Sequence, residues 1–203
     1  LRHLQTYYPV PFRLEAVTID LGFPNMDYSP VEALCREIGV PYTLVKTDIR
    51  EIVFDVRKEE NPCSLCAKMR RGALNDVLNA RTLNKLALGH HFDDAIETFL
   101  MSLLFEGRLS CFKPVTHMTR ANVWQIRPML YAGEGTIANL AQKLELPVVE
   151  NTCPMDKESK RHEIKTLIQF LSRDYPDLKS KVFGAIQRLP LDGWGVEKGR
   201  ETK

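Results

Sequence analysis

The spacing of apolar residues changes period along the chain, and each change marks an element. Residues 13–19 (RLEAVTI) form a short apolar run ending at Asp20, with Gly22 and Pro24 just beyond, which predicts a buried strand emptying into a loop. Ser29 as N-cap, Pro30 at the first helical position and Glu32 as capping-box acid then predict a helix that Gly39 stops. Residues 42–46 read as a second strand. Strand, helix, strand implies a parallel, right-handed crossover.

The alternation continues. Leu65, Met69, Leu74, Val77 and Leu78 lie close to one helical face within 65–81, and KLAL at 85–88 follows as a strand closed by Gly89. Residues 93–105 read as an amphipathic helix with Ile96, Phe99, Leu100, Leu103 and Leu104 inward. A strand at 123–126, a helix at 136–144, a short extended segment at Val148 and Val149, and helices at 158–173 and 178–189 complete the pattern. The fold class expected is α/β, a doubly wound parallel sheet with a more helical C-terminal region. The divisions expected are a sheet-containing domain over 1–150, a helical extension over 151–191 and a polar tail over 192–203.

Charge narrows the function classes only slightly. Twenty-eight Lys and Arg against 26 Asp and Glu leave a formal +2, so any RNA contact must come from local patches. No apolar run approaches the roughly 20 residues of a membrane span, and no export leader is present, so a cytoplasmic protein without a membrane partner is expected. The first residue is Leu1, in what reads as the end of a helix, which predicts sequence upstream of it.

Five cysteines, Cys35, Cys63, Cys66, Cys111 and Cys153, are an odd set, and Cys63 and Cys66 form a C-x-x-C. Without an export signal this favours metal or redox chemistry over disulfides. Two thiols near a helix N-terminus suit a metal or cluster, a zinc half-site or a redox dithiol. Cys153, in N-T-C-P, adds a third thiol; three thiolates leave a zinc site short of its fourth ligand but can hold a four-iron cluster with one iron open. Cys111 is a rival third ligand, and Cys35, inside an amphipathic helix, reads as a core thiol.

A second constellation, Gly89-His90-His91-Phe92-Asp93-Asp94, stands between a strand end and a helix start. That edge binds ligands in open α/β sheets, and a helix N-terminus favours phosphate; two acids there also serve simply as caps. Basic residues cluster after each cysteine site: Lys68, Arg70 and Arg71, then Lys157, Lys160, Arg161 and Lys165. They read either as solvated helix faces or as contacts to an RNA backbone.

Taken in order, PCSLC with KMRRG, LALGHHFDDAIETFL, FEGRLSCFKPV, IRPML and NTCP resemble the tRNA 2-thiocytidine synthetase family, a branch of the PP-loop adenine-nucleotide α-hydrolase superfamily, over roughly 13–171. The resemblance implies a five-stranded parallel sheet, ATP with Mg²⁺, a 4Fe-4S cluster and tRNA as substrate, so that 1–150 would be the nucleotide-binding domain. By position it assigns Cys63, Cys66 and Cys153 to the cluster. Asp93 and Asp94 fall beside the nucleotide phosphates, holding metal or orienting the base, with Asp20, Gly89 and His90 facing the nucleotide. From position alone, Arg70 or Arg71 is expected at the adenylated intermediate, and the association of the basic clusters with the cysteines puts Lys68, Lys157, Lys160, Arg161 and Lys165 toward RNA. Sulfur would come from a cysteine desulfurase or free sulfide, and a homodimer is compatible with it. The family's S-G-G-x-D-S phosphate loop and its central strand are absent from this sequence. Two other readings share parts of the pattern: a non-thiolating PP-loop ligase, and a degenerate zinc-binding RNA-binding domain.

Overall fold

In a computed structural model the described residues are 1–119, 121–155 and 159–188. Lys157 and the expected tail at 192–203 lie outside them.

The first half opens with β1 (Ala16–Asp20), α1 (Ser29–Glu37) and β2 (Tyr42–Lys46). β1 and β2 pair in parallel, Ala16 opposite Tyr42 and Asp20 opposite Lys46, so the predicted crossover is present. The helix start differs from the expectation. Ser29 is already helical, and its N–H donates to the Asp27 carboxylate at 2.9 Å. An ionised acceptor two residues back binds that amide more strongly than a hydroxyl would. Glu32 accordingly makes no capping box and pairs with Arg36 one turn on, at 3.2 Å. Gly39 ends the helix at φ +68°, a left-handed conformation favouring glycine.

A π-helical turn at Glu51–Val56, which no periodicity announced, leads into α2 (Pro62–Ala80). Val53 from that turn is fully buried with Ile19 and Ile49, and α2 closes over them with Leu65, Met69 and Leu74.

The second half contains β3 (Lys85–Ala87), α3 (Phe92–Glu106), β4 (Val115–Met118), β5 (Val123–Ile126), α4 (Glu134–Lys143), α5 (Lys160–Leu171) and α6 (Leu178–Arg188). β3 runs parallel to β5, and β4, not expected, pairs antiparallel on the other side of β5. Ile96 and Ala95 of α3 pack against Leu130, Ile164 and Ile168, and Phe183, which ties α5 and α6 to α3. The expected extended segment at Val148 and Val149 pairs with no strand among the described residues, and Val148 is 82% exposed.

The fold is α/β with parallel strands, but the strands form two sheets, β1-β2 and β3-β5-β4, rather than one continuous sheet. Between β1 and β3 runs an apolar groove of about 480 Å³, lined among others by Ala16, Val17, Leu74, Leu78, Leu86 and Leu88. The edges of β1 and β3 that border it carry no strand partner among the described residues.

Candidate functional site

Pro62 occupies the first turn of α2, where its missing N–H costs nothing, and Cys63 and Cys66 follow within that turn and the next. The C-x-x-C therefore lies inside the helix start rather than before it. Cys153 sits in a loop held from two directions. Its own N–H donates to the Asn151 side chain at 3.1 Å, and the Thr152 hydroxyl donates to Pro24 O, after β1, at 3.1 Å.

These contacts bring the third thiol to the first two. The Cys63 thiol is held above its ordinary value by burial and then by Cys153. Cys66 is pushed up by burial, by Cys153 and by Cys63, against the opposing pull of Arg70 one turn along the helix. Cys153 thus stands close enough to act on both Cys63 and Cys66, and the three thiols form a donor set that suits a soft, positively charged group. Among the described residues no three His, Cys, Asp or Glu side chains converge as the ligands of a single ion do. Three thiols without a fourth protein ligand among the described residues suit a cluster with one iron open better than four-coordinate zinc.

Cys111 stands apart. Its Sγ donates to Ala95 O at 3.4 Å and the side chain packs on the α3 core. Cys35 is buried in α1, as expected of a core thiol.

At the C-terminal edge of β3, the chain passes through Gly89 and His90 to His91, the N-cap of α3. His91 N–H donates to the Asp94 carboxylate at 2.9 Å and Asp94 N–H donates to His91 Nδ1 at 3.4 Å, a reciprocal capping box with histidine in the serine role. The His90 ring lies 4.9 Å from that of Phe112, and burial followed by Arg127 holds its pKa below 6.5. Asp20 ends β1 on the other sheet, where its carboxylate accepts Gly22 N–H at 3.0 Å.

The two acids of α3 are fully engaged. Asp93 accepts from Lys179 at 2.6 Å on one oxygen and from Glu134 N–H at 2.7 Å on the other. Asp94 gives its second oxygen to Arg161 at 3.0 Å, and Arg161 also reaches the buried Glu97 at 2.8 Å. Burial alone would raise the Asp93 pKa; the Glu134 amide and Lys179 outweigh it and hold the carboxyl below its ordinary value. Glu97 goes the other way, raised by burial that Arg161 only partly offsets. With both oxygens of each aspartate already bonded, the arrangement does not fit a Mg²⁺ ion on this pair.

The basic residues divide into two groups. Lys68, Arg70 and Arg71 are exposed on α2. On α5, Arg161 turns inward to α3 and Lys165 pairs with Glu134 at 2.6 Å, while Lys160 pairs with Glu163 at 2.9 Å. Lys179, Glu97 and Glu134 joined this network without any local sequence signal; only the fold brings α6 and α4 to the acids of α3. Arg127, directly after β5, was visible within IRPML but not singled out.

A parallel pair of strands, β3 and β5, whose C-terminal edge meets the capped α3 defines an α/β protein of the class whose ligands bind at that edge. The PP-loop domain family matches residues 13–170. The tRNA-cytidine(32) 2-sulfurtransferase of Syntrophotalea carbinolica is 35% identical over 189 residues, covering 92% of this chain and 73% of its relative. That of Pelobacter propionicus is 34% identical over 192 residues, covering 93% and 71%. The structure of the U34-tRNA thiolase NcsA from Methanococcus maripaludis with its 4Fe-4S cluster superposes with a TM-score of 0.72 at 26% identity, over 91% of this chain and 64% of that one. The chain belongs to the PP-loop family, within its tRNA-cytidine 2-sulfurtransferase branch. No helix among the described residues is long and apolar enough to cross a membrane.

Proposed function

We propose that this chain acts in ATP-dependent thiolation of a tRNA cytidine, with Cys63, Cys66 and Cys153 holding a 4Fe-4S cluster. The observation that supports the reading is that Cys153, on the Pro24-anchored loop, lies within electrostatic reach of both Cys63 and Cys66 of α2. When bound, a cluster on three thiolates supplies a coordination position at which sulfide is held.

The chemistry of the exchange is activation followed by displacement. The cytidine C2 oxygen attacks the α-phosphorus of ATP, pyrophosphate leaves, and sulfide displaces AMP from C2. Negative charge develops on the phosphates in the first step and on departing AMP in the second. Arg70, exposed on α2 within electrostatic reach of Cys66 and His90, and Arg71, exposed beside it and within reach of Arg127, are the residues that would stabilise it. His90 and Gly89 border the nucleotide, Asp20 shapes the loop on the opposite sheet, and Asp93 and Asp94 hold the α3 N-terminus and its flanking loop in register. No step is assigned to Mg²⁺.

tRNA approaches over Lys68 and the α2 face, with Lys160 at its border. Arg161 contributes by fixing α5 against α3, and Lys165 by fixing it against α4. The sulfur arises from a cysteine desulfurase or free sulfide, the compartment is the cytoplasm, and the assembly is a homodimer.

Anaerobic purification followed by iron and acid-labile sulfide analysis, with mass spectrometry of tRNA nucleosides, tests this reading. Iron and sulfide in equal amounts, lost in Cys153→Ser, are expected together with 2-thiocytidine. Stoichiometric zinc or undiminished thiolation in Cys153→Ser would refute it.

A further inference from the structure

Most cations around the α3 acids have a carboxylate partner: Arg161 has Asp94 and Glu97, Lys165 has Glu134, and Lys179 has Asp93. Arg127 is different. Its residue is only 9% exposed, and its guanidinium donates to two neutral acceptors, Lys113 O at 2.6 Å and the Gln125 side chain at 3.0 Å. Nε is buried with no partner, and no carboxylate among the described residues pairs with the group. A buried guanidinium without a counterion is costly, and proteins compensate such charges with an anion.

The position indicates which kind. Arg127 follows β5 immediately, so it stands at the same C-terminal sheet edge as Gly89 and His90. Its guanidinium carbon lies 4.6 Å from the centre of the Phe112 ring, and the His90 ring is 4.9 Å from that ring. His90 likewise keeps a buried, unpartnered Nδ1. Arg71, also positive, lies within electrostatic reach of Arg127. Two cations and two unspent ring or guanidinium nitrogens around one aromatic platform match the donor set that a phosphate takes.

We propose that Arg127 is a phosphate-binding residue of this site, its missing counterion being a phosphate of the substrate, from either the nucleotide or the RNA backbone. This deepens the proposed function and rests on it for the source of the phosphate. The bonds to Lys113 and Gln125 hold the fork in place, and Nε is the guanidinium nitrogen left without a partner.

The test compares the whole chain with Arg127→Gln and Arg127→Lys. Thermal unfolding is followed with and without pyrophosphate, ATP and AMP, and tRNA binding is measured across a salt series. A nucleotide phosphate predicts that the stabilisation by ATP or AMP seen in the parent falls roughly tenfold in apparent affinity in Arg127→Gln, with partial recovery in Arg127→Lys. A backbone phosphate predicts instead that the slope of log K against log salt for tRNA drops by about 0.7 to 0.9. A lower melting temperature with both ligand responses intact would make Arg127 a tether between Lys113 and Gln125 and overturn the proposal. So would a parent that responds to none of these phosphates. Iron and sulfide content, measured on the same samples, reports separately on the cluster reading.

Discussion

Replacing Arg161 by methionine removes one guanidinium from three acceptors: Asp94 at 3.0 Å, Glu97 at 2.8 Å and the Thr98 hydroxyl at 3.3 Å. The Glu97 side chain is 7% exposed, so it would be left as a buried carboxylate without its cation. Breaking a fully buried pair costs about 3–5 kcal/mol. Because the Arg161 side chain is 41% exposed, water recovers part of that loss, and about 2 kcal/mol is the expected cost. For a chain of this length that corresponds to a fall of about 4–8 °C in Tm, measured by calorimetry at pH 7.5. The sign of the pH dependence follows from Glu97, whose folded pKa is already raised above 4.5 by burial and rises further without Arg161. Protonation then relieves the buried charge, so the deficit is largest at neutral pH and shrinks as pH falls through the folded pKa. Glu97→Gln in the Arg161→Met background should restore most of the loss. An unchanged Tm together with a shallower salt dependence of tRNA binding would mean that Arg161 faces RNA, and the reasoning would be wrong.

Acidification should destabilise the fold through His90: its folded pKa lies below 6.5, so the stability it contributes is full above that value and is lost as pH falls through the folded pKa. His90→Gln should flatten this part of a Tm-against-pH curve, and an identical curve would remove His90 as its source. Ile96→Ala, at a fully buried position between α3 and α5, should lower stability by about 2–5 kcal/mol in urea unfolding. Gly22→Ala should cost about 1–3 kcal/mol, because φ is +83° and a Cβ there would stand 3.0 Å from Thr47 O; a neutral result would show that the loop relaxes freely. Cys111→Ser should retain the iron that Cys153→Ser loses, since the Cys111 thiol is spent on Ala95 O; iron loss in that variant would promote it to a ligand.

The elements that the sequence announced most clearly were those with one dominant cause. β2 and β5 coincide with their expected limits, and α3 exceeds its prediction by one residue at each end, because apolar runs and strong caps act locally. The π-helical turn at Glu51–Val56 was illegible, since its stabilisation comes from Val53 entering a core assembled by distant residues. β4 was missed for a similar reason: its strand character depends on pairing with β5, not on its own alternation. At the site, the C-x-x-C spacing singled out Cys63 and Cys66, whereas the position of the loop that carries Cys153 depends on the hydrogen bond from Thr152 across 128 positions to Pro24. Charge counts cannot tell that Arg161 and Lys165 point toward carboxylates of α3 and α4.

The groove between β1 and β3 would make residues 1–203, handled by themselves, sensitive to concentration in solution. Each bordering strand offers a row of main-chain donors and acceptors backed by apolar side chains, the kind of template on which another extended polypeptide adds itself. Amide hydrogens pointing into that trough should therefore trade with solvent deuterium sooner than those on the β1-β2 seam. Crowded samples should self-associate through it before any helix melts.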